Sequence, residues 1–266
     1  MGMMIGYDNP LFEPGVSVFT SVGGSTPTEL ADTVNLFDGR PGTLSTGDLE
    51  IGLVQIKAKW SRPIRPRIMM MMNISLSKTV EAEVLLSRPG EGFTYQSIIL
   101  QPFDLPTGDR VLLMKYPEGL DLCDGVLITF SGVEPGPVSF GQLWISEAAE
   151  YGLRPGFANG LTRSGEGVSV NGSLYTFPDS PRRTLDAEIV PQDYDSALLA
   201  QDSLQSVAVA LSRDPRAVII PDTDHIAATA RYCRVNELGP ITGLRNGPYF
   251  SMRLRAEEMV GNNGTI

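Results

Sequence analysis

The fold is decided by a stretch that reads Leu-Glu-Ile-Gly-Leu-Val-Gln-Ile-Lys-Ala-Lys-Trp at residues 49–60. Apolar residues recur in it at every second position, with one shift of phase between Leu53 and Val54. A period of two is typical of a strand that buries one face, because successive side chains of a strand point to opposite sides. The phase shift predicts a β-bulge within a single strand.

Short apolar runs continue along the first half of the chain, each bounded by clusters of Gly, Pro or Asp. The runs are Ile68–Leu76, Val80–Leu86, Ser97–Leu100, Arg110–Met114, Gly125–Ser131 and Val138–Ser146. Many short strands separated by turns are typical of an antiparallel sandwich or jelly roll. Within the first run, the uninterrupted apolar segment Met69–Met72 predicts a strand that is buried on both faces.

One segment of the second half has the spacing of a helix. Residues 194–212 contain neither Gly nor Pro, and apolar residues from Leu204 to Leu211 recur three and four positions apart. This spacing places them on one helical face. We therefore predict a helix over about residues 194–212, with Asp193 or Asp195 as its N-cap.

These signals predict an all-β chain, with a jelly-roll-like β-sandwich followed by a smaller β-rich domain that carries one α-helix. A Gly-rich string after residue 150 is typical of a linker and places the domain boundary there. The predicted segments are an extended N-terminal arm (1–15), the sandwich (16–146), Gly-rich loops (147–180), the β-rich domain (181–260) and a tail (261–266).

The chain is strongly acidic, with a net charge of −10 and a pI near 4.7. Nucleic-acid binding requires a basic surface that displaces counterions, and anionic membranes repel acidic proteins, so we expect neither partner. No apolar stretch reaches the roughly 18 residues that span a bilayer, so we expect no membrane insertion. The first 15 residues also lack the apolar core of a signal peptide. Cys123 and Cys233 lie in apolar runs and are predicted to be buried free thiols.

His225 is the one histidine of the chain, which restricts the catalytic designs that the sequence allows. A site built on two or more imidazoles is excluded, and a nucleophilic triad that uses histidine as its base could use His225 alone. Asp222 and Asp224 lie beside it, where a turn capped by aspartate is favoured over a partial metal site. We predict no catalytic residue, no cofactor and no bound metal, and therefore a protein that is not an enzyme.

The acidic residues keep one enzymatic alternative open. Glycoside hydrolysis needs two carboxyl groups about 5–9 Å apart across a cleft. Carboxyl groups that could form such a pair belong to Glu147, Glu150, Glu257 and Glu258. Because spacing along the chain does not establish a pair, a glycan hydrolase stands as an alternative function.

Carbohydrate binding usually involves aromatic side chains, because an aromatic ring stacks on the apolar face of a sugar. The aromatic candidates are Trp60, Phe93, Tyr95 and Phe103. Trp60 ends an alternating strand and is expected in the core. Phe93 and Tyr95 lie in a stretch flanked by turns, so we predict that these two residues contact carbohydrate.

The string Asn-Leu-Phe-Asp-Gly-Arg-Pro-Gly-Thr at residues 35–43 resembles the Asp-Gly turn near the start of discoidin-type, galactose-binding-like jelly rolls. That family usually places a tryptophan just after the threonine, where this chain has Leu44 and Ser45. The resemblance implies a jelly roll for the first domain and leaves its glycan specificity open.

A second resemblance covers residues 140–259. It rests on the order of the segments Phe140–Ala148, Pro181–Leu185, Val218–Asp222, Arg231–Val235, Phe250–Leu254 and Glu257–Glu258. This succession resembles structural proteins of the tail tip of long-tailed bacteriophages. Such proteins form symmetric rings or trimers around the tail axis and display jelly rolls towards the host surface.

The tail-tip resemblance implies a structural subunit that assembles with itself and with other tail proteins, and whose sandwich contacts host-surface carbohydrate. It implies a location in the virion, with the subunit soluble in the host cytoplasm before assembly, and it supplies no catalytic residues. A free, lectin-like carbohydrate-binding module stands as the main alternative.

Overall fold

The structure is a computed structural model, and it describes residues 2–22, 29–49, 52–152, 158–162, 168–170, 173–175, 182–192, 197–198, 202–243 and 250–259. The described residues form two compact units. The first comprises residues 5–149, and the second comprises residues 2–4 together with residues 150–259. The fold is all-β, as the alternating sequence pattern predicts, with antiparallel sheets and one main helix.

The strands of the first part of the chain are short and are joined by turns. In chain order they are β1 (Gly2–Tyr7), β2 (Ser17–Val22), β3 (Ser45–Leu49), β4 (Leu53–Ile64), β5 (Ile68–Met71), β6 (Glu81–Ser87), β7 (Phe93–Leu100), β8 (Phe103–Asp104), β9 (Arg110–Lys115), β10 (Cys123–Ser131), β11 (Gly136–Phe140) and β12 (Leu143–Gly152). Two 3-10 turns accompany them, at Pro10–Phe12 and Thr33–Leu36.

The first unit is a β-sandwich. One layer is a five-stranded sheet in the order β2-β4-β10-β6-β7, and the other contains the order β12-β5-β9-β8. A single hydrophobic core holds side chains of both layers, among them Ile56 and Ile128 of the first and Met69 and Leu112 of the second. Full burial of one such side chain contributes about 1.5–3 kcal/mol, so this core is the main source of the unit's stability.

The run of methionines lies where its composition predicts, in a strand with both faces covered. All four residues of β5 are buried, and β5 pairs with β12 on one side and with β9 on the other. The Tyr116 hydroxyl donates to Met69 Sδ at 3.9 Å. Methionine packs well in such a position because its side chain is flexible and apolar.

The predicted bulge at residue 53 is wrong, because the stretch 49–60 belongs to two separate strands. β3 ends at Leu49 and pairs with β11, whereas β4 begins at Leu53 and pairs with β2 and β10. Close packing accompanies the change of sheet at Gly52, where a Cβ would lie 2.9 Å from the Val133 carbonyl oxygen. A strand that ends and a strand that begins give the same phase shift as a bulge.

The N-terminal segment differs from the extended arm predicted for residues 1–15. Gly2–Tyr7 forms β1, and Met3, Met4 and Ile5 are fully buried in it. The prediction gave weight to Pro10 and Pro14, which do exclude a long element, but only after Tyr7. A six-residue apolar strand fits before them.

The second unit is built on the later strands. They are β13 (Ala158–Thr162), β14 (Val168–Val170), β15 (Ser173–Tyr175), β16 (Arg182–Gln192), β17 (Arg216–Ile220), β18 (Arg231–Leu238), β19 (Thr242–Gly243) and β20 (Phe250–Glu258). Five of them form the sheet order β13-β16-β20-β18-β17, and β14 pairs with β15. The predicted loop segment 147–180 therefore contains strands, since Gly residues also separate short strands. The predicted tail, 261–266, lies outside the described residues.

The main helix, α1 (Leu204–Arg213), buries the predicted apolar face through Leu204, Val207 and Leu211. It begins later than predicted, and Ser203 caps it by accepting a hydrogen bond from the Ser206 amide at 3.2 Å. The proposed caps Asp193 and Asp195 lie outside the described residues. A one-turn helix, α2 (Ile226–Thr229), follows β17. No helix in the described part of the chain is long and apolar enough to cross a membrane.

Candidate functional site

The surface that best fits a binding role is the side of the five-stranded sheet that points away from the core. Residues directly opposite one another in antiparallel strands point to the same side. The register therefore aligns rows of side chains there. We call this surface the outer face, and it comprises Phe19 on β2, Gln55, Lys57 and Lys59 on β4, Gly125, Leu127 and Thr129 on β10, Glu81, Glu83, Leu85 and Ser87 on β6, and Phe93 and Ile99 on β7.

The outer face is rich in apolar side chains. Phe19 is 50% exposed and Ile99 is 65% exposed. Leu85 and Leu127 lie opposite each other in the register and are half-buried. Large apolar residues that share one exposed face mark interaction sites more often than scattered ones do.

The charges of the outer face are separated by strand. Lys57 and Lys59 project from β4, whereas Glu81 and Glu83 project from β6, with β10 between them. Lys59 Nζ lies 3.8 Å from Asp124 Oδ2, and Glu83 accepts a hydrogen bond from the Ser97 hydroxyl at 2.7 Å. Among the residues that the structure describes, neither Lys57 nor Glu81 has an ion-pair partner. The face therefore carries charge that the described part of the chain leaves unpaired.

Phe93, one of the two predicted carbohydrate contacts, lies on the outer face. Its ring covers Gly125, where a Cβ would lie 3.0 Å from the ring edge, so the absence of a side chain gives the ring its place. Lys57 Nζ lies 4.9 Å from the ring centroid and Lys59 Nζ 5.4 Å from it. Each cation–π contact at such an exposed site contributes about 0.5–1 kcal/mol.

Tyr95, the other predicted contact, points to the opposite side of the sheet and packs against the core. Tyr95 pairs with Leu86 and Phe93 pairs with Ser87, so two residues that a regular strand would place on one face are separated. The register shifts on either side of Leu86, and Gln96 has a φ of 53°. The structure thus does not bring the two aromatic residues together.

Neighbouring residues already contact both the ring and the hydroxyl group of Tyr95. The Arg88 guanidinium lies 4.9 Å from the ring centroid. The Tyr95 hydroxyl accepts a hydrogen bond from the Asp121 amide at 3.2 Å. A sugar that stacked on this ring would have to displace Arg88, which is also paired with Glu91 and Asp121.

The other aromatic candidates are placed differently again. Trp60 is buried, and its indole nitrogen donates to the Cys123 carbonyl oxygen at 3.0 Å. Phe103 is half-buried in the two-residue strand β8. Neither belongs to the outer face.

His225 and Asp222 form a capped turn at the start of α2. Asp222 Oδ1 accepts from the Asp224 amide at 3.0 Å, and Asp222 Oδ2 lies 2.9 Å from His225 Nδ1. The hydrogen bond with His225, followed by the one from the Asp224 amide, lowers the pKa of Asp222. The imidazole itself is 72% exposed. In the described ranges, no three His, Cys, Asp or Glu side chains gather closely enough to hold a metal ion.

Of the glutamates considered as a catalytic pair for a hydrolase, Glu147 and Glu258 accept hydrogen bonds within the chain. Glu257 and Glu258 are consecutive in β20 and therefore point to opposite faces. Glu258 is buried, and both its oxygens accept from Arg183, at 2.8 Å and 2.5 Å. Glu147 accepts a hydrogen bond from the Arg65 amide at 3.2 Å.

The buried Arg183–Glu258 pair was not predicted from the sequence. Arg183 also donates to the Ala228 and Ala230 carbonyl oxygens, at 3.2 Å and 2.7 Å. Burial lowers the pKa of the neighbouring Arg231 and raises that of Cys233, which lies opposite Glu258 in the register. The sequence does contain a signal for this pair. Arg183 and Glu258 each continue the series of alternate apolar positions of their strand, and this alternation places both on the inner face of the sheet.

The exposed side of the same sheet carries a network of ion pairs. Asp186 accepts from Arg253 at 2.8 Å and 2.6 Å and from Arg255 at 3.0 Å. Arg255 also donates to Glu237 at 2.9 Å. The hydrogen bond from Arg253, assisted by the one from Arg255, lowers the pKa of Asp186 to about 2. These side chains satisfy one another within the chain.

Comparison with known proteins identifies no family for the chain, and the two solved structures named below are weakly similar to it. No protein-family model matches the chain, and no curated protein matches its sequence. A GH29 fucosidase from Ruminococcus gnavus, solved in complex with fucose, is similar at a TM-score of 0.36 and 13% identity, over 53% of this chain and 27% of the fucosidase. The N-terminal domain of the single-strand break repair protein XRCC1 is similar at a TM-score of 0.32 and 15% identity, over 54% of this chain and 98% of that domain. Likeness at these TM-scores carries no argument about function.

Proposed function

We propose that the protein is a structural subunit of a bacteriophage tail tip or baseplate, which acts by contact with copies of itself and with neighbouring tail proteins. The observation that carries the assembly role is the outer face, where exposed apolar side chains lie among charges that the described residues leave unpaired. Such a surface is typical of a protein interface, since burial of Phe19 and Ile99 would be favourable and Lys57 and Glu81 have capacity for partners.

The tail-tip setting rests on the order of sequence segments over residues 140–259. A protein of this kind would be located in the virion and would need no reacting group, because its work is done by interfaces. The proposal therefore assigns no catalytic residue, no cofactor and no metal.

Two measurements test the proposal separately. Light scattering coupled to size-exclusion chromatography measures the association of the purified chain, for which we expect species larger than a monomer. Immunogold labelling of purified virions with an antibody to this chain tests the location, with gold expected at the distal tail. Virions that carry no label, together with a strict monomer, would exclude a tail-tip subunit.

We propose host-surface carbohydrate as a second ligand of the sandwich, at Phe93. The specific support is a half-buried ring on the outer face beside two ammonium groups. A sugar that stacked on this ring would displace both groups from it, and their charge suits a sugar that carries a carboxylate. Tyr95 would take part only if Arg88 moved from its ring. A glycan array tests this proposal, with Phe93→Ala as the variant expected to lose binding and Phe103→Ala as the control expected to retain it. An array without signal would exclude it, as would binding that Phe93→Ala leaves unchanged.

A further inference from the structure

Two of the four lysines of this acidic chain meet at one aromatic ring. Lys57 Nζ lies 4.9 Å from the centroid of the Phe93 ring, and Lys59 Nζ lies 5.4 Å from it. Both ammonium groups therefore occupy the ring that we propose as a stacking platform for carbohydrate. In the free protein this ring is not open to every sugar, because a sugar that stacks on it must first displace them.

The register of the sheet brings the ring and the lysines together. Phe93 on β7 pairs with Ser87 on β6, which pairs with Gly125 on β10. Gly125 pairs in turn with Lys59 on β4, and Lys57 lies two residues away on the same strand. Because only a serine and a glycine stand between the ends of this row, the ring extends over Gly125 and the long, flexible lysine side chains reach it.

The two lysines differ in how far their charge is already compensated. Lys59 Nζ lies 3.8 Å from Asp124 Oδ2. Asp124 Oδ1 accepts a hydrogen bond from the Ser87 hydroxyl at 2.8 Å, which holds that carboxylate beside the lysine. Among the residues that the structure describes, Lys57 contacts the ring but has no carboxylate within ion-pair distance. Lys57 therefore has the greater capacity for an anion from outside the chain.

A neutral sugar and an acidic sugar differ in what they return to the displaced ammonium groups. Each cation–π contact at an exposed site corresponds to a factor of about 2–5 in affinity, so displacement of both disfavours a neutral sugar by about 5–30-fold. A carboxylate on the sugar accepts charge-assisted hydrogen bonds from the same ammonium groups, and these are stronger than bonds to a neutral hydroxyl group. The displacement is therefore offset for an acidic sugar alone.

We propose that Lys57 and Lys59 make the Phe93 site selective for acidic sugars, because they cover the ring until the carboxylate of a sugar binds them. The inference rests on the proposed binding of carbohydrate, and it adds the residues that decide which sugars bind. The ligand class is a pyranose that carries a carboxylate, such as a uronic acid. Lys57 is the main partner of that carboxylate, and neutral sugars are excluded by the covered ring.

Pairs of ligands that differ by one carboxylate test the proposal. Methyl glycosides of glucuronic and galacturonic acid are compared with those of glucose and galactose, by calorimetric titration of the full chain. We expect the natural chain to bind each acidic member roughly tenfold or more tightly than its neutral counterpart. Lys57→Ala should weaken binding of the acidic member about tenfold and strengthen that of the neutral member about 2–5-fold, since it removes both the partner of the carboxylate and part of the cover.

Two control variants separate charge at the ring from charge elsewhere. Lys57→Arg keeps a cation over the ring and a donor for the carboxylate, so the preference for acidic sugars should remain. Lys78→Ala removes an exposed lysine that pairs with Asp104, and it should leave both affinities unchanged.

The cover itself is measured in the natural chain, which keeps the test decisive if a lysine variant folds poorly. In NMR spectra, the ring current of Phe93 should shift the ε-methylene protons of Lys57 upfield. Methyl glucuronide should remove this shift at concentrations at which methyl glucoside does not. Phe93→Leu should lack the shift altogether, and a Lys57 resonance that Phe93→Leu leaves unchanged would show that the ring is not covered.

The possible failures distinguish this inference from the proposal on which it rests. Equal binding of acidic and neutral sugars that Phe93→Ala abolishes overturns the selectivity, and carbohydrate binding at the ring then stands. An equal loss of both sugars in Lys57→Ala overturns the selectivity in the same way. A glycan array without any signal removes the carbohydrate proposal and this inference together.

Discussion

Two exposed sheet faces of this protein arrange their charged side chains in opposite ways. On the second unit, Asp186 pairs with Arg253 and Arg255, and Glu237 joins them, so that charges on adjacent strands neutralise one another within the chain. On the outer face of the sandwich, like charges are grouped by strand, with Leu127 between the two charged strands and the exposed Phe19 and Ile99 on the two edge strands. The same alternation of side chains builds both surfaces. The two faces therefore differ in whether charges on adjacent strands pair with one another within the described residues.

The largest effect expected concerns the buried side of the paired sheet. Glu258→Gln would leave the Arg183 guanidinium buried without its carboxylate, and loss of one partner of a buried pair costs about 3–5 kcal/mol. Asp186→Asn, on the exposed side of the same sheet, should cost much less, because solvent screens exposed ion pairs. Urea denaturation of the two variants measures both values, and equal losses would contradict the distinction between the two sides.

The next effect compares the two sides of the sandwich sheet at adjacent residues. Ile128 is fully buried in the core, and its replacement by Ala should lower the free energy of unfolding by about 2–5 kcal/mol. Leu127 points to the outer face and is half-buried, so Leu127→Ala should cost about 1 kcal/mol or less in the monomer. Chemical denaturation at low protein concentration checks this, and a larger loss at Leu127 would show that the face is covered within the monomer.

A smaller effect concerns the aromatic ring of the outer face. Phe93→Leu keeps an apolar side chain over Gly125 but removes the π system beside Lys57 and Lys59. We expect a loss of about 0.5–1 kcal/mol, measured by thermal or chemical unfolding. Lys57→Met in the Phe93→Leu background supplies the double-mutant cycle, and a coupling energy of zero would exclude an energetic role for the cation–π contact.

The smallest effect expected is a dependence of stability on pH through Asp186. Its pKa is about 2 in the folded chain and 3.8 ordinarily, so the folded state favours the ionised carboxylate. The stabilisation is fully present above about pH 4 and is lost as the pH falls through 2. Unfolding of the natural chain and of Asp186→Asn should therefore differ at pH 6 and converge at pH 2, whereas a constant difference would show that ionisation of Asp186 is not its source.

Much of the sandwich follows from the sequence, because burial of alternate residues leaves a period of two in the chain. The strands that contain Ile56, Val84 and Ile128 have this pattern, and the structure places these residues in one core. The stretch 49–60 shows what a period of two leaves open. A period describes which side a residue faces, but it does not tell whether two segments in opposite phase share a sheet.

The outer face could be predicted only in part, for a similar reason. The sequence indicated exposure near Phe93 and Tyr95. The prediction that both contact carbohydrate assumed that residues two apart in a strand share a side. The shift of register around Leu86 separates them, and such a shift depends on how β6 and β7 pair. The separation of Lys57 and Lys59 from Glu81 and Glu83 likewise exists only across strands, so it could not be detected along the chain.

The backbone at Gln96 has a consequence for the edge of the five-stranded sheet. β7 ends the five-stranded sheet, and an edge strand without interruption is a template on which further strands can add without limit. The left-handed residue and the shifted register break that template near its middle, leaving no long straight edge for a fibre to grow from. Addition of a further strand along the full length of this edge is therefore disfavoured.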